Sequence, residues 1–290
     1  MKYENFKASK NYTKLYYALK DFGLSESYIT KLRKDSSFLL LNNSPANMRS
    51  QVKENDDIAF ALELGQSSTF QICEIPLDIV FEDEYLLVIN KPAGLTCNPT
   101  KSHYDVNLAG AVCKYMQNKD KNFVYRIINR LDKDTSGLVI IAKNLFAYNK
   151  ISNIDKTYEA ICEGNLNCQA CIIKPIYTEN INGINTLKRT ISKLGQEAIT
   201  YVEPIANNDE FSHIRLKLKH GRTHQIRVHL SSINHPLIGD SIYGKASDLI
   251  DHTALVCKEI SFNHPKDSSF LHLVAKYPFD FEKLLKQFSI

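Results

Sequence analysis

The sequence predicts an α+β protein whose larger part is built on a mainly antiparallel, mixed sheet flanked by helices and loops. From about residue 70 onward, short β-branched or aromatic runs recur, each bounded by polar residues, Gly or Pro. The apolar side chains of Ile214, Leu216 and Leu218 alternate with basic residues, as in a strand with one buried and one cationic face. Helical windows are few, and residues 107–116 and 145–154 are the best of them. We therefore expect mainly antiparallel pairing.

A chain of 290 residues suggests about two domains, and local patterns divide this one unequally. Residues 1–66 are predicted to form a small α/β module, and the small polar residues 65–69 are predicted to form a linker. The larger predicted domain spans residues 72–290. In chain order the module is predicted to hold a helix ending at Gly23, a second helix over residues 25–33, and strands over residues 38–41 and 58–60. The larger domain is predicted to hold strands over residues 79–81, 85–90, 123–128 and 138–142, besides the two helices and the alternating strand above.

Composition and charge exclude several classes of protein. An apolar fraction of 43% supplies a packed core, which excludes a disordered chain. The longest apolar stretches, such as residues 138–142, fall far short of the roughly 20 residues that cross a bilayer. The N-terminus lacks the apolar core of a secretion signal, so we expect a cytoplasmic protein without a membrane partner. A net charge of +4 permits a polyanionic partner only if the basic residues are clustered.

The cysteines predict reduced thiols and no metal site. Seven is an odd number, and the thiols are spread along the chain, which does not favour a disulfide framework. The spacing Cys168-Gln-Ala-Cys171 is the one that suggests a metal, but structural zinc needs four ligands and Cys162 supplies at most a third. We expect these thiols to lie in a loop between two strands. Two histidines, His224 and His229, are five residues apart, whereas a helical metal pair needs a spacing of four.

One stretch whose residues suggest chemistry runs from Ile128 to Ile141. It places a charged segment, Asn-Arg-Leu-Asp-Lys-Asp-Thr-Ser-Gly, directly before a buried-type strand. Such an arrangement holds a carboxylate, Asp132 or Asp134, on a loop supported by a rigid element. The alternative interpretation is a solvated turn in which the acidic residues are simple turn formers.

A second stretch, residues 218–230, collects Arg and His among hydrogen-bonding side chains, at the end of the cationic strand and at the predicted start of a helix. Arginine suits bidentate contact with phosphate or carboxylate, and helix N-termini also attract anions. A solvated basic face is the alternative, but it does not explain why Gly221 and Gln225 are interleaved with the basic residues. Further basic residues lie at 31–34 in the N-terminal module. Two basic patches on a nearly neutral chain indicate a polyanion that contacts both domains.

These segments resemble, in order over residues 72–275, the signatures of the RluA-type RNA pseudouridine synthases. The matching blocks are residues 88–95, 129–141, 156–160 and 221–229, followed by His235-Pro236 and by the Gly-Asp-x-x-Tyr-Gly of residues 239–244. The first 65 residues resemble, more loosely, the S-four-type (αL) RNA-binding module. The resemblance implies the pseudouridine synthase fold and an enzyme that isomerises uridine in RNA to pseudouridine. It further implies no cofactor and no metal, with ribosomal RNA the favoured partner, transfer RNA the second choice, and a monomer.

The resemblance implies that Asp132 is the catalytic carboxylate, either as nucleophile at C1′ or as the base that removes the C2′ proton. A carboxylate suits both roles, because it can stabilise or capture positive charge at an anomeric carbon. A neighbouring cation favours its ionised form, and the motif position assigns that ion pair to Arg227. Tyr158 would stack on the uracil and shuttle a proton.

The resemblance also implies a set of substrate-binding residues around a base that has been flipped out of the RNA. Arg130 would occupy the vacated space or hold neighbouring phosphates. Arg222 would contact phosphate. The family usually has His where this chain has Asn129 and Asn98, and asparagine hydrogen-bonds but carries no charge. The remaining predicted contacts are Thr135, His224 and Gln225.

Two other functions are compatible with parts of the sequence. The segment Asp132-Lys-Asp134-Thr-Ser136 superficially resembles the nucleophile loop of haloacid-dehalogenase-type phosphotransferases, but there the apolar strand precedes the first Asp, whereas here it follows. A non-catalytic RNA-binding protein that retains the synthase fold is the other alternative, with Asn129 as a sign of decay. The presence of Asp132, Tyr158 and Arg227 argues against it.

Overall fold

A computed structural model describes residues 2–62, 70–100, 104–120, 123–181 and 184–289. The predicted linker over residues 65–69 lies outside these ranges. The helices within them are α1 (Leu15–Asp21), α2 (Glu26–Leu32), α3 (Leu108–Met116), α4 (Leu145–Lys150), α5 (Gln225–Ser231) and α6 (Phe279–Phe288). The strands are β1 (Tyr3–Lys7), β2 (Leu39–Leu41), β3 (Ser44–Pro45), β4 (Asp57–Ala61), β5 (Ile79–Glu82), β6 (Leu86–Lys91), β7 (Arg126–Ile127), β8 (Ser136–Ala142), β9 (Asp155–Glu163), β10 (Ala170–Ile173), β11 (Ile176–Ile181), β12 (Ile184–Ile191), β13 (Ile199–Asn207), β14 (Phe211–Leu218), β15 (Leu255–Asn263) and β16 (Phe270–Val274).

The strands form one large sheet and two small ones. The large sheet has ten strands in the order β10-β13-β14-β9-β15-β8-β6-β5, with β16 paired to β15 and β7 to β8. Within the described residues its pairs are antiparallel, apart from the parallel pair of β15 with β8. The N-terminal module has a four-stranded sheet, β1-β4-β2-β3, and β11 with β12 forms a separate hairpin. The predicted α+β class and the mainly antiparallel mixed sheet are confirmed.

Most predicted elements lie where the patterns place them, and each of the following differences has an identifiable cause. Strand β1 is absent from the prediction because its sequence, Tyr-Glu-Asn-Phe-Lys, is mostly polar; pairing with β4 makes it a strand. Helix α4 ends at Lys150, four residues before the predicted end, because Ile151 is already extended and Asn153 has a positive φ of 55°. Cys171 lies in β10 rather than in the predicted loop, and both it and Cys168 are exposed.

The N-terminal module and the larger domain share one continuous apolar core. The ring of Phe146 in α4 lies 6.0 Å from Phe22 and 5.5 Å from Phe60, both of the module. Lys150 Nζ donates to the Phe22 carbonyl oxygen (2.6 Å), and the Leu145 amide donates to the Leu62 carbonyl oxygen (3.1 Å). Removing the module would therefore expose the buried Phe146 to solvent. No helix among the described residues is long and apolar enough to cross a membrane.

Gly137 joins the charged loop to β8 at the point where β8 meets β15. Its φ is +108°, and a Cβ built on it would lie 2.3 Å from the carbonyl oxygen of Cys257, its parallel partner residue. A side chain at this position would therefore clash with backbone atoms, which cannot move aside by a change of rotamer as a side chain can. The close approach fixes the start of β8, and with it the end of the loop that carries Asp132.

Glu159 lies on β9, next to Tyr158 in sequence, so its side chain points to the opposite face of the sheet. Its carboxylate is 3% exposed and lies 3.0 Å from His213 Nε2 and 3.2 Å from an Arg215 guanidinium nitrogen. The Tyr277 hydroxyl donates a further hydrogen bond to it. Burial alone would raise the pKa of Glu159, but the hydrogen bonds from His213 and Tyr277 outweigh burial and lower it to about 2.

This pKa predicts acid lability. Because the pKa of Glu159 is lower in the folded chain than in the unfolded one, its contribution to stability is present above pH 4.5 and is lost as the pH falls toward 2. We expect the excess stability of the wild type over a Glu159→Gln variant to shrink by about 2 kcal/mol between pH 7 and pH 3. Urea unfolding of both proteins at the two pH values measures this difference. An equal difference at both pH values would contradict the prediction.

Candidate active site

A cleft of about 340 Å³ brings together both chemically suggestive stretches of the sequence. One wall is the loop before β8, a second is the start of β9, and a third is the turn that opens α5. Lys156, Thr223 and Leu255 also line the cleft and were not predicted as site residues; Lys156 and Thr223 lie in the matching blocks 156–160 and 221–229, whereas no pattern selected Leu255. All nine predicted site residues line it: Asp132, Tyr158, Arg227, Arg130, Asn129, Thr135, Arg222, His224 and Gln225.

The loop that carries Asp132 is tied down on its backbone, which leaves the carboxylate unengaged. The Thr135 amide donates to the Asp132 carbonyl oxygen (3.2 Å) and closes the turn. The Leu131 amide lies 3.4 Å from Cys97 Sγ, and this thiol donates to the Leu131 carbonyl oxygen (3.3 Å). Among the described residues, no hydrogen bond or ion pair reaches the half-buried Asp132 carboxylate. A carboxylate held in this way is available to a substrate.

A fully buried lysine supports the same loop and was not predicted as a site residue. Lys91 Nζ donates to the carbonyl oxygens of Pro92 (2.8 Å), Leu95 (2.8 Å) and Lys133 (3.1 Å). It thus ties the end of β6 to the residue after Asp132. Burial lowers the pKa of Lys91 to about 8, although nearby negative groups oppose this. Lys91 lies in the block 88–95 of the family resemblance, which was the available signal.

Tyr158 presents a protonated phenol to the cleft. It lies on β9 between β14 and β15, opposite Cys257 in the register, and is 7% exposed. Burial raises its pKa well above the ordinary value, and the charge of Asp132 adds to this shift. The hydroxyl therefore keeps its proton at neutral pH. The pairing of β9 with β14 and β15 fixes the position of the residue.

The predicted ion pair between Asp132 and Arg227 is wrong. Arg227 instead binds the fully buried Asp240 through two hydrogen bonds, Nε to Oδ2 (2.8 Å) and a terminal nitrogen to Oδ1 (2.7 Å). Burial lowers the pKa of Arg227, but the hydrogen bonds and charge of Asp240, followed by the charge of Asp132, outweigh it and raise the pKa. Arg227 is thus close enough to Asp132 to interact electrostatically, while its guanidinium is held by another carboxylate.

Two predicted substrate contacts use their amides to hold the scaffold. Gln225 Nε2 donates to the Ile199 carbonyl oxygen (3.0 Å) and to Thr200 Oγ1 (3.1 Å), and its Oε1 accepts from the Arg222 amide (3.0 Å). Both hydrogens of this amide are therefore occupied. Asn129, 4% exposed, donates to the Leu138 carbonyl oxygen (2.9 Å) and accepts from the Ile140 amide (2.8 Å). Contact of either residue with a substrate stays a prediction.

The remaining predicted contacts lie at the cleft with their side chains placed differently. Arg130 is exposed at the cleft, and Arg222 is half-buried with Nε donating to the Glu197 carbonyl oxygen (3.2 Å). Thr135 is buried beneath the loop. His224 precedes α5 in the left-handed conformation, with φ 58°, and its Nδ1 lies 3.0 Å from the Tyr243 hydroxyl.

The possible metal ligands considered in the sequence do not come together. His229 is fully buried, with Nδ1 2.8 Å from Thr200 Oγ1 and Nε2 2.9 Å from the Lys174 carbonyl oxygen, so both ring nitrogens are occupied. In the part of the chain that the structure describes, the group of potential ligands that does cluster is Asp251, His252 and Asp280. There His252 Nε2 bonds Asp280 (2.8 Å), which anchors the start of α6.

The fold and the cleft together define an enzyme of the pseudouridine synthase class. Residues 85–232 match the sequence profile described as RNA pseudouridylate synthase, and the chain belongs to this family. Within it, the relatives named below place the chain among the RluA-type enzymes, which are isomerases.

Two relatives match nearly the whole chain, and a solved structure matches about three quarters of it. An uncharacterised RNA pseudouridine synthase of Bacillus subtilis, YjbO, is 31% identical over an alignment of 276 residues that covers 92% of this chain and 96% of that protein. The ribosomal large subunit pseudouridine synthase D of Zymomonas mobilis is 32% identical over a gapped alignment of 292 positions that covers 91% of this chain and 92% of that protein. The solved structure of human RNA pseudouridylate synthase domain containing 4 has a TM-score of 0.59 at 21% identity, and covers 73% of this chain and 92% of that one. This last likeness shows the fold.

Proposed function

We propose that the protein isomerises a uridine in ribosomal RNA to pseudouridine and that Asp132 is its catalytic carboxylate. One observation carries the assignment: among the described residues that line the cleft, Asp132 alone has a carboxylate. Its oxygens are free of protein partners in the described part of the chain, whereas Asp240 is occupied by Arg227. A substrate in the cleft would thus meet one unpaired negative charge.

The geometry supports a division of labour around that charge. In the isomerisation the bond from N1 to C1′ breaks, the uracil turns, and a bond from C5 to C1′ forms; C5 loses its hydrogen to solvent as a proton, and N1 gains a proton. Asp132 would attack C1′ or remove the C2′ proton. Tyr158 would stack on the uracil, and its retained proton makes its hydroxyl a hydrogen-bond donor. Arg227 would stabilise the negative charge of Asp132 at a distance. All atoms of the uridine except the exchanged hydrogen are conserved, so the reaction is redox-neutral, and the proposal assigns it no cofactor.

Release of tritium from RNA labelled at C5 of uridine tests the proposal directly. The wild type should release label from ribosomal RNA, and Asp132→Ala should not, although it should still bind the RNA. Release by Asp132→Ala at the wild-type rate would overturn the assignment. RNA binding without release by the wild type would favour the non-catalytic alternative.

Ribosomal RNA is favoured over transfer RNA because the Zymomonas mobilis and Vibrio relatives are named as ribosomal large subunit synthases. We further propose that the protein acts in the cytoplasm as a monomer. Mapping pseudouridines in RNA from cells that lack the gene would identify the uridine, and sites that vanish only from transfer RNA would contradict the ribosomal assignment.

We propose that the N-terminal module, residues 1–66, is a second RNA-binding surface. A groove of about 710 Å³ runs across it, and its lining combines basic and aromatic side chains. Tyr17 is 46% exposed, and the Arg33 guanidinium lies 5.8 Å from the centre of the Tyr16 ring. Basic grooves with exposed aromatic rings suit a nucleic-acid strand, since phosphates meet cations and bases stack on rings. The basic lining residues are Lys14, Arg33 and Arg49.

Substitution in the groove tests this role better than deletion of the module, because deletion would uncover Phe146. For Arg33→Ala with Arg49→Ala we expect weaker RNA binding. The slope of log affinity against log salt concentration should fall by roughly one for each arginine, while the rate on saturating RNA stays unchanged. A Lys283→Ala variant, altered at an exposed position on α6, is the control. An unchanged salt slope in the arginine variant would remove the module from the RNA interface.

A further inference from the structure

Tyr243 lies behind the cleft and is held there by the same carboxylate that binds Arg227. Asp240 Oδ1 accepts hydrogen bonds from the amides of Ile242 (3.0 Å) and Tyr243 (3.1 Å), as well as from the Arg227 guanidinium. The Tyr243 ring consequently packs beside α5, with the Arg227 guanidinium carbon 5.3 Å from its centre. The residue does not itself line the cleft.

The Tyr243 hydroxyl lies between a backbone amide and the His224 ring. The backbone amide of Arg189, in β12, donates to the Tyr243 oxygen (2.6 Å), and the same oxygen lies 3.0 Å from His224 Nδ1. An amide can only donate, so the hydroxyl is an acceptor toward Arg189. Among the described residues, His224 Nδ1 is then the acceptor within reach of the hydroxyl proton.

The direction of that hydrogen bond sets the proton on the imidazole. Burial raises the pKa of Tyr243, so its hydroxyl retains the proton that it donates. Burial, followed by the positive charges of Arg227 and Arg189, lowers the pKa of His224, against the opposing charge of Asp132. A neutral imidazole whose Nδ1 accepts a hydrogen bond carries its proton on Nε2.

His224 lies at the cleft, and Nε2 is the ring nitrogen that Tyr243 does not occupy. His224 lines the cleft, and in the described part of the chain its Nε2 has no hydrogen-bond partner. This atom is also not fully buried. This nitrogen is therefore open to solvent at the cleft that holds Asp132. An uncharged N–H at this position can donate to an oxygen of a bound nucleotide.

We propose that Tyr243 is a positioning residue: it fixes His224 as the Nε2–H tautomer, so that the imidazole offers one hydrogen-bond donor to an oxygen of the nucleotide beside Asp132. This inference rests on the proposed function and deepens it, because it assigns a substrate contact to His224 and a reason for that contact to a residue outside the cleft.

Nitrogen NMR of histidine labelled with ¹⁵N tests the tautomer without any RNA. For the wild type at pH 8 we expect the His224 signals of an unprotonated Nδ1 and a protonated Nε2, assigned by their loss in His224→Gln. In Tyr243→Phe, which removes only the hydroxyl, the two tautomers should mix. The same Nε2–H pattern in both proteins, or an Nδ1–H pattern in the wild type, would overturn the inference.

Kinetics supply the second measurement. His224→Leu should lower kcat for tritium release roughly tenfold, the worth of one hydrogen bond, and Tyr243→Phe should lower it by less, because part of its His224 keeps the Nε2–H tautomer; KM for RNA should stay within about twofold in both. In the Tyr243→Phe background, His224→Leu should cost less than it does alone, because Tyr243 acts through His224. Tyr148→Phe, at an exposed tyrosine of α4, should match the wild type. Equal kcat in Tyr243→Phe and wild type would overturn the inference, whereas no release by the wild type would overturn the proposed function and leave the NMR result to decide the tautomer.

Discussion

Replacing Asp132 with asparagine is expected to lower the rate of tritium release by about 10⁴-fold or more, the effect of removing a nucleophile or base that acts in the chemical step. Asparagine has nearly the shape of aspartate but cannot ionise, so the loop geometry should persist while the charge is lost. Since no other carboxylate lines the cleft in the described part of the chain, no neighbour can replace it. Single-turnover measurements would separate this loss from any change in RNA affinity.

Asp134→Asn provides the matched control. Asp134 lies two residues along the same loop and is half-buried, but it does not line the cleft. We expect its activity to stay within a few-fold of the wild type, because the change alters the same loop without altering the cleft. Loss of activity in Asp134→Asn together with full activity in Asp132→Asn would reverse the assignment of the catalytic carboxylate.

The second large effect is expected for Gly137→Ala, which should lower the free energy of unfolding by about 3 kcal/mol or more. The added Cβ would lie 2.3 Å from the Cys257 carbonyl oxygen and 2.6 Å from its amide nitrogen, and the residue would have to keep a φ of +108°. The strands β8 and β15 would have to separate, and the end of the Asp132 loop would move with them. We therefore also expect activity to fall in whatever fraction of the variant stays folded.

Gly221→Ala is the control for this substitution. Gly221 is exposed, and a Cβ built on it would meet no atom within 4 Å. Its effect on stability should stay within about 0.5 kcal/mol. Urea unfolding of both variants checks the pair, and similar losses for the two glycines would show that the contact with Cys257 is not the cause.

Eight of the nine predicted site residues were predictable because they lie in two short segments whose order along the chain carries the family resemblance, and the ninth, Tyr158, lies in the separate matching block 156–160. Residues 129–135 form one loop, and residues 222–227 form one turn and the start of one helix, so local sequence already places their members near each other. That the two segments meet at one cleft follows from the resemblance rather than from any local pattern. The structure then places all nine predicted residues there.

The partners of those residues were not predictable in the same way. Arg227 was expected to bind Asp132, yet it binds Asp240, which is 13 residues further along the chain. Gln225 was expected to contact substrate, yet its amide holds β13. In both cases the observed acceptor belongs to another segment of the chain, which is the segment around Asp240 or the start of β13. Only the packing of α5 against these segments decides which acceptor lies within hydrogen-bond distance.

The sequence by itself determined the α+β class, the antiparallel character of the large sheet and most of the individual elements, and its matching segments supplied the nine predicted residues of the cleft. Each of these depends on local periodicity or on contiguous segments, which short-range sterics and solvation impose on any chain of this pattern. Only the tertiary structure decided that β1 completes the module's sheet, that Phe22, Phe60 and Phe146 join two units into one core, and that Lys91, Asp240 and Tyr243 support the site. These contacts join residues far apart in the chain, and their geometry is set by packing rather than by neighbouring sequence.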